Sequence, residues 1–521
     1  MSWEPGPRVL VRPDPCRRYD HPVRLLIVFI IGTLGWLAAP RLPAQELSLP
    51  DLGSSAETLA TPEELRRYGR QLLGSFRQAG LLYDDPLLDE YIETLGYRLV
   101  AHSRRPHQYF RFFLIRDRTV NAFAAPGGYI GTYAGMVLLT EREDELAAVL
   151  AHEIAHITQN HTLRGAESAS KASLPIMLGM LAALVAASQA GGSSSGDAAQ
   201  AAIVGGMGLM QQMQINYTRA NEYEADRIGV QTLGAAGFDP FAQANIWVRM
   251  SRYSRNYGQS PPEILRTHPF ETTRIVEAKA RAESVRMAPR PDTPGPGLDG
   301  RYELFRERLR VLTQAGERDL VEYYRTRLRE DPQNVYDRYG LALALSRRGS
   351  YAEAARLAAD LEAEQPQTLA FALLQAEIDG RASREAQALA RYAELNERHP
   401  DRAAILAPYA ELLLKHGDRE DAVRAANLLR PMIDRDTDHA SLYTLLGRAY
   451  EVSGDANRAA EAHALAAAYN GRFEDSLMQF ERLQRRPDLD YYQRARVEAR
   501  ITELTPIVLE IRRRPGNAGR G

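Results

Sequence analysis

Apolar residues recur at intervals of three and four along most of this chain, the spacing of helices that bury one face. Leu and Tyr take that spacing over 61–78 and 86–102, and the first segment opens Thr-Pro-Glu-Glu, a capping residue followed by an acidic first turn. The period changes at 109–115, where aromatic and aliphatic residues alternate with Arg as they would on a strand. Segments 120–123 and 129–132 flank Ala-Pro-Gly-Gly, so a short hairpin or turn is expected there. Helical spacing returns over 144–162, where Leu146, Val149, Leu150 and Ile157 fall close to an i, i+3, i+4 pattern behind an Asp-Glu start.

Two segments depart from this amphipathic pattern. Residues 25–39 form an apolar run preceded by Arg8, Arg12, Arg17, Arg18 and Arg24 and followed by Pro-Arg-Leu-Pro-Ala-Gln, which predicts an export signal cleaved after Ala44. The other reading is an uncleaved anchor, although the run is short of the roughly twenty residues that span a bilayer. Residues 174–187 are apolar all round but also too short to span, and 191–196 are a Gly/Ser linker leading to 198–213, rich in Gly and Met. Five of the chain's 11 methionines lie between Met177 and Met213. An adaptable surface touching membrane or client and a buried helical hairpin are both open readings of 174–213.

The C-terminal half repeats itself. Pro332, Pro366 and Pro400 follow one another at the tetratricopeptide period, each after a charged helix end and before a pair of Ala/Leu/Tyr-rich helices, and a further copy starts near Leu442. Such a stack presents a concave surface to other proteins. Residues 289–300, Pro-Arg-Pro-Asp-Thr-Pro-Gly-Pro-Gly-Leu-Asp-Gly, read as a linker that keeps two cores separate. The predicted organisation is a signal peptide (1–44), a first folded domain (45–288), the linker (289–300) and a repeat domain (301–521). At 521 residues there is room for these parts. A net charge of −2 gives no electrostatic case for binding nucleic acid. The one cysteine, Cys16, is in the leader, so the exported chain has no disulfide.

The chemistry lies in two short stretches. His152-Glu153-Ile154-Ala155-His156 places two histidines one turn apart on a helix, able to share one metal, with Glu153 beside it to take a proton from the attacking water. A Gly and a third His downstream would mark a metzincin, but Gln159 and Thr162 stand there. A third ligand must come from another helix. Glu222-Tyr223-Glu224-Ala225-Asp226 supplies it: Glu222 and Asp226 share a face, whereas Glu224 is about 200° round from Glu222. Glu222 is therefore the expected third ligand, Glu224 the alternative. Asp226 is counted with the catalytic group because it can fix the tautomer of a ligating His. His161, about 140° round from His156, reads as a structural or rim histidine rather than a ligand.

Asn121-Ala-Phe-Ala-Ala-Pro-Gly-Gly, His152–His156, Glu222–Asp226 and Arg266-Thr-His268-Pro stand in an order that resembles the gluzincin peptidases that include HtpX and the CAAX prenyl proteases. The resemblance is closest to the periplasmic BepA type, which carries tetratricopeptide repeats behind the peptidase domain. It covers nearly the whole chain after the leader. It implies a mainly α protein, an α+β zincin peptidase domain with a small sheet followed by an all-α repeat solenoid, and one zinc ion per chain. It implies a periplasmic endopeptidase whose substrates are misfolded or stalled outer-membrane proteins and whose repeats engage the envelope assembly machinery. It also implies that His268 caps the zinc as a regulatory fourth ligand; a histidine that packs a helix start, or one that stabilises the transition state, are the other readings. Asn121 and Phe123 are candidates to bind substrate along an edge strand, with a turn-stabilising role equally open for Asn121. The competing class is a chaperone or assembly factor whose peptidase site is largely silent.

Overall fold

The computed structural model describes residues 60–168, 219–256, 264, 268, 272–289, 301–314, 320–415, 417–435 and 440–513. The predicted signal peptide, the apolar segment 174–213 and all but the first residue of the 289–300 linker lie outside the described residues. The described chain is mainly α, with twenty helices and one small sheet.

Local chemistry sets the first elements. Helix α1 (Pro62–Gln78) starts with a capping box: the Thr61 hydroxyl accepts from the Glu64 N–H at 3.2 Å, and the Glu64 carboxylate accepts from the Thr61 N–H at 2.7 Å. Helix α2 (Pro86–Ala101) has Pro at its first position and Asp85 as its cap, accepting from the Leu88 N–H at 3.1 Å. Strands β1 (Arg111–Ile115), β2 (Ala122–Ala125) and β3 (Tyr129–Tyr133) form a sheet in the order β1–β3–β2, with β3 parallel to β1 and antiparallel to β2. The turn between β2 and β3 requires Gly128: its φ is +91°, and a Cβ there would sit 1.9 Å from the Tyr109 carbonyl oxygen.

Every residue of all three strands is buried, because both faces of the sheet are covered. Phe112, Leu114, Ala122 and Ala124 join the main helical core, while Phe113, Ile115 and Phe123 pack with Leu72 and Phe76 of α1.

Helices α3 (Ala134–Leu139) and α4 (Glu143–Thr158) follow, and α4 is buried at every position from Asp144 onward. It is enclosed by α2, β2, α6 (Arg219–Ala235) and α7 (Ala242–Asn256). Gly229 lets α6 come close, since a Cβ there would lie 3.2 Å from the main-chain nitrogen of His152. The helix expected over 144–162 is in fact two. Asn160 takes φ +54°, in the left-handed region that Asn tolerates, so α4 stops and α5 (His161–Ser168) begins in a new direction.

Helix α8 (Thr272–Ser284) completes this half. The second half comprises α9 (Tyr302–Thr313), α10 (Leu320–Glu330), α11 (Val335–Arg348), α12 (Tyr351–Glu364), α13 (Leu369–Arg381), α14 (Glu385–Arg398), α15 (Ala403–Leu413), α16 (Arg419–Arg435), α17 (Ala440–Ser453), α18 (Ala456–Tyr469), α19 (Phe473–Gln484) and α20 (Tyr491–Arg513). From α11 onward consecutive helices pack as pairs. The leading helices α11, α13 and α15 each begin three residues after Pro332, Pro366 and Pro400.

The two halves share a core, contrary to the separate cores expected from the linker composition. Phe305 stacks on Tyr91 with ring centroids 4.2 Å apart, and the Tyr302 hydroxyl donates to the Val137 carbonyl at 3.0 Å. Arg308 donates to both Asp85 oxygens at 2.7–2.9 Å, and Arg402 pairs with Glu90 at 3.0 Å. Leu150 and Ile154 of α4 and Phe371 and Tyr409 of the repeats belong to one continuous apolar cluster. Pro and Gly between 289 and 300 report local chain stiffness and turns; they carry no information about the apolar face of α9 that follows. No helix among the described residues is long and apolar enough to cross a membrane.

Candidate metal centre

Helices α4 and α6 lie side by side and each presents two polar groups one turn apart, His152 with His156 and Glu222 with Asp226. His268 enters from the segment before α8. His152, His156, Glu222 and His268 each offer a ligand atom within 4.8 Å of all the others, and all four are buried.

The separations are informative. His152 Nε2 lies 3.0 Å from His156 Nε2, 3.4 Å from His268 Nδ1 and 3.5 Å from Glu222 Oε2; Glu222 Oε1 lies 3.5 Å from His156 Nε2 and 3.0 Å from His268 Nδ1. Metal–ligand bonds of about 2.0–2.1 Å in a tetrahedron imply ligand–ligand edges of about 3.3–3.4 Å. Both Glu222 oxygens enter these five separations, which at 3.0–3.5 Å bracket such edges, so the four residues converge at a spacing that suits a dication of zinc size. The charges agree. Glu222, Asp226 and Glu153 bring three buried carboxylates to a volume holding one guanidinium, Arg274, and a dication would offset the surplus.

Surrounding groups hold the ligands. Asp226 Oδ1 is 3.0 Å from His152 Nδ1, which directs His152 Nε2 into the cluster. Arg274 in turn fixes both acids: it donates to Asp226 Oδ2 at 2.7 Å and Oδ1 at 2.9 Å, and its Nη1 reaches Glu222 Oε2 at 3.1 Å. Its guanidinium lies over the Trp247 ring, 4.5 Å from the centroid. Burial works against ionisation of Glu222, but His268, His152 and His156 overcome it and hold the carboxyl well below the usual range. Burial drives His156 well below the usual histidine value, so its imidazole is neutral as a ligand must be. Burial also disfavours charge on His152, but Asp226 and Glu222 prevail and push it up to about 9.

Glu153 sits beside the cluster, 1 % exposed, with neither carboxylate oxygen in a hydrogen bond and its Oε1 3.6 Å from His268 Nε2. Burial raises its pKa, opposed by His268 and His152. A buried carboxylate of raised proton affinity beside this His/Glu cluster is able to accept a proton from a water and release it again.

The structure places the other candidates differently. Asn121 immediately precedes β2, with its side-chain oxygen buried and without a hydrogen-bond partner. The Phe123 ring points away from the cluster into the aromatic group, 6.0 Å from both Phe76 and Phe113. β2 itself is one of the two outer strands of the sheet and packs against α4, so main chain rather than the Phe123 ring is what it offers near the site. Glu224 is outside the cluster. It accepts from Arg164 at 3.0 Å, contacts His161 Nε2 at 3.1 Å and lies 4.0 Å from Arg227. Sequence reasoning missed Arg274 altogether. The available signal was the spacing Arg274, Ala278, Ala282, an arginine standing in the buried stripe of a helix.

Residues 86–282 match the model of peptidase family M48. The beta-barrel assembly-enhancing protease of Escherichia coli strain K12 is 31% identical over 481 residues, covering 91% of this chain and 94% of the relative. The chain belongs to peptidase family M48. The protease of the same name from Yersinia pestis is 36% identical over 358 residues, 67% of this chain and 70% of its own length. The mitochondrial metalloendopeptidase OMA1 of Schizosaccharomyces pombe is 31% identical over 216 residues, 42% of this chain and 57% of the relative. As an M48 metallopeptidase, the protein has in its buried His/Glu cluster a place to hold the family's metal.

Proposed function

We propose that this M48 peptidase is a zinc-dependent endopeptidase of the HExxH gluzincin type, exported to the periplasm and acting in quality control and assembly of outer-membrane proteins. The observation that carries the enzymatic part is the convergence of buried ligand atoms from His152, His156, Glu222 and His268, with five separations of 3.0–3.5 Å. His152, His156 and Glu222 would hold the zinc. When bound, the ion supplies Lewis acidity, polarising the scissile carbonyl and acidifying the attacking water. Glu153 takes the proton from that water at its unpartnered carboxylate and passes it to the leaving amine. Asp226, braced by Arg274, keeps His152 in the ligating tautomer. The outer edge of β2, which Asn121 immediately precedes, would receive an extended substrate through main-chain hydrogen bonds.

His268 would occupy the fourth position and silence the resting enzyme, because a zinc site without an open position cannot take water and substrate. Residues 301–521 would act as tetratricopeptide repeats that recruit outer-membrane clients and the envelope assembly machinery, in keeping with the names of the two beta-barrel assembly-enhancing relatives. The burial of His268 in the cluster, 1 % exposed, also favours a second reading in which the chain is chiefly an assembly factor with a largely silent site. Metal analysis tests the primary reading. One zinc per chain is expected, lost in His152→Ala, His156→Ala and Glu222→Ala and kept in Glu153→Gln; full occupancy in Glu222→Ala would overturn the ligand assignment.

A further inference from the structure

His156 and His152 are backed in different ways. The distal nitrogen of His152 meets a carboxylate directly, Asp226 at 3.0 Å. The distal nitrogen of His156 meets another imidazole: its Nδ1 is 3.0 Å from Nδ1 of His161. The other nitrogen of His161, Nε2, is 3.1 Å from Glu224 Oε2, and Arg164 donates to that same oxygen at 3.0 Å. His161 is fully buried, whereas the Glu224 side chain is 26 % exposed. The helix break at Asn160 creates this arrangement, since it turns His161 out of the α4 path and back towards His156.

We propose that Glu224 and His161 form a positioning relay that sets the tautomer and raises the ligand strength of His156; it rests on the zinc reading given above. Proton counting allows one arrangement when His156 ligates through Nε2. Its Nδ1 must then carry the proton and donate to His161 Nδ1. His161 is left with its proton on Nε2, which donates to Glu224. The negative charge of Glu224, held by Arg164, is thereby felt at the metal-facing nitrogen of His156. Geometry explains why a bridging imidazole is needed. Glu224 lies about 200° round α6 from Glu222, so it cannot face the cluster directly. The segment Glu-Tyr-Glu-Ala-Asp then has three distinct acids: Glu222 at the cluster, Asp226 behind His152, and Glu224 behind His156 at one remove.

Two measurements test the relay on the full-length chain. The first is zinc affinity by chelator competition at neutral pH. His161→Phe and Glu224→Leu should each weaken zinc binding about 10–100-fold, whereas Glu224→Gln, whose amide oxygen still accepts from His161 but carries no charge, should fall between them and wild type. The second needs no variant: in the zinc-loaded wild type with 15N-labelled histidine, His156 should be protonated at Nδ1 and His161 at Nε2. Wild-type zinc affinity in both His161→Phe and Glu224→Leu, or a His161 protonated at Nδ1, would overturn the relay alone. A wild-type chain that binds no zinc would overturn the metal reading and the relay with it.

Discussion

Arg308 offers the most demanding test of the shared core. It is buried on α9, where its guanidinium donates to both Asp85 oxygens at 2.7–2.9 Å, to Glu377 at 3.2 Å and to the Tyr339 hydroxyl at 3.3 Å. One side chain thus joins the cap of α2, helix α11 and helix α13. Burial opposes its charge, but Asp85 and Glu377 hold its pKa well above the usual value. Arg308→Met keeps the apolar stem and removes the charge, leaving the Asp85 carboxyl buried without its guanidinium. Breaking a buried pair in this way costs about 3–5 kcal/mol. Glu377 keeps Arg381 at 3.3 Å and is 21 % exposed, so the lower end, about 3 kcal/mol, is expected. That is more than a hundredfold in the folding equilibrium. Urea unfolding followed by near- and far-UV circular dichroism measures it. Asp85→Asn added to Arg308→Met should recover most of the loss, because Asn still caps α2 while carrying no charge. The acid limb has a definite sign. Burial acts to raise the Glu377 pKa, but Arg308 and Arg381 overcome it and hold it low. Its contribution is therefore present at neutral pH and lost as pH falls through that depressed value, below the ordinary carboxylate range of about 4. A loss under about 1 kcal/mol in Arg308→Met, or loosening of the repeats alone, would refute the shared-core reasoning.

Two other expectations concern the site. His268→Ala should raise peptidase activity, seen as self-cleavage or loss of healthy clients, with zinc content unchanged by metal analysis; lowered activity would assign His268 to transition-state stabilisation instead. Gly229→Leu should drive α6 away from the His152 backbone, where even a Cβ would sit 3.2 Å from the main-chain nitrogen, and should weaken zinc binding at least tenfold in chelator competition. Gly229→Ala should cost far less.

What could be read from the sequence was what depends on near neighbours. His152 with His156, and Glu222 with Asp226, share helix faces by spacing alone, and the capping box at Thr61 and the Gly-Gly turn are equally local. Less was legible where the outcome depended on what packs across. The strand at 111–115 has no polar face because α1 covers one side and the helical core the other, which also carries the Phe123 ring away from the site. Asn160 gave only a weak signal for the break after α4, since Asn tolerates left-handed geometry without requiring it. Of the two readings of His161, structural or rim, the break at Asn160 selects the first by turning it into the interior beside His156. Arg274 acquires its position only when α8 docks on α6, and the union of the two halves depends on α9, whose apolar face says nothing of its partner.

The central claim is that Glu153 is the proton-transferring base of a zinc site built from His152, His156 and Glu222. Cleavage of an unfolded outer-membrane β-barrel protein by purified, zinc-loaded chain is its most direct measurement, made in the His268→Ala background so that the site is open. The account predicts that adding Glu153→Gln abolishes cleavage by at least a hundredfold while zinc content and melting temperature stay unchanged. Cleavage at an undiminished rate by the zinc-loaded Glu153→Gln chain would contradict it.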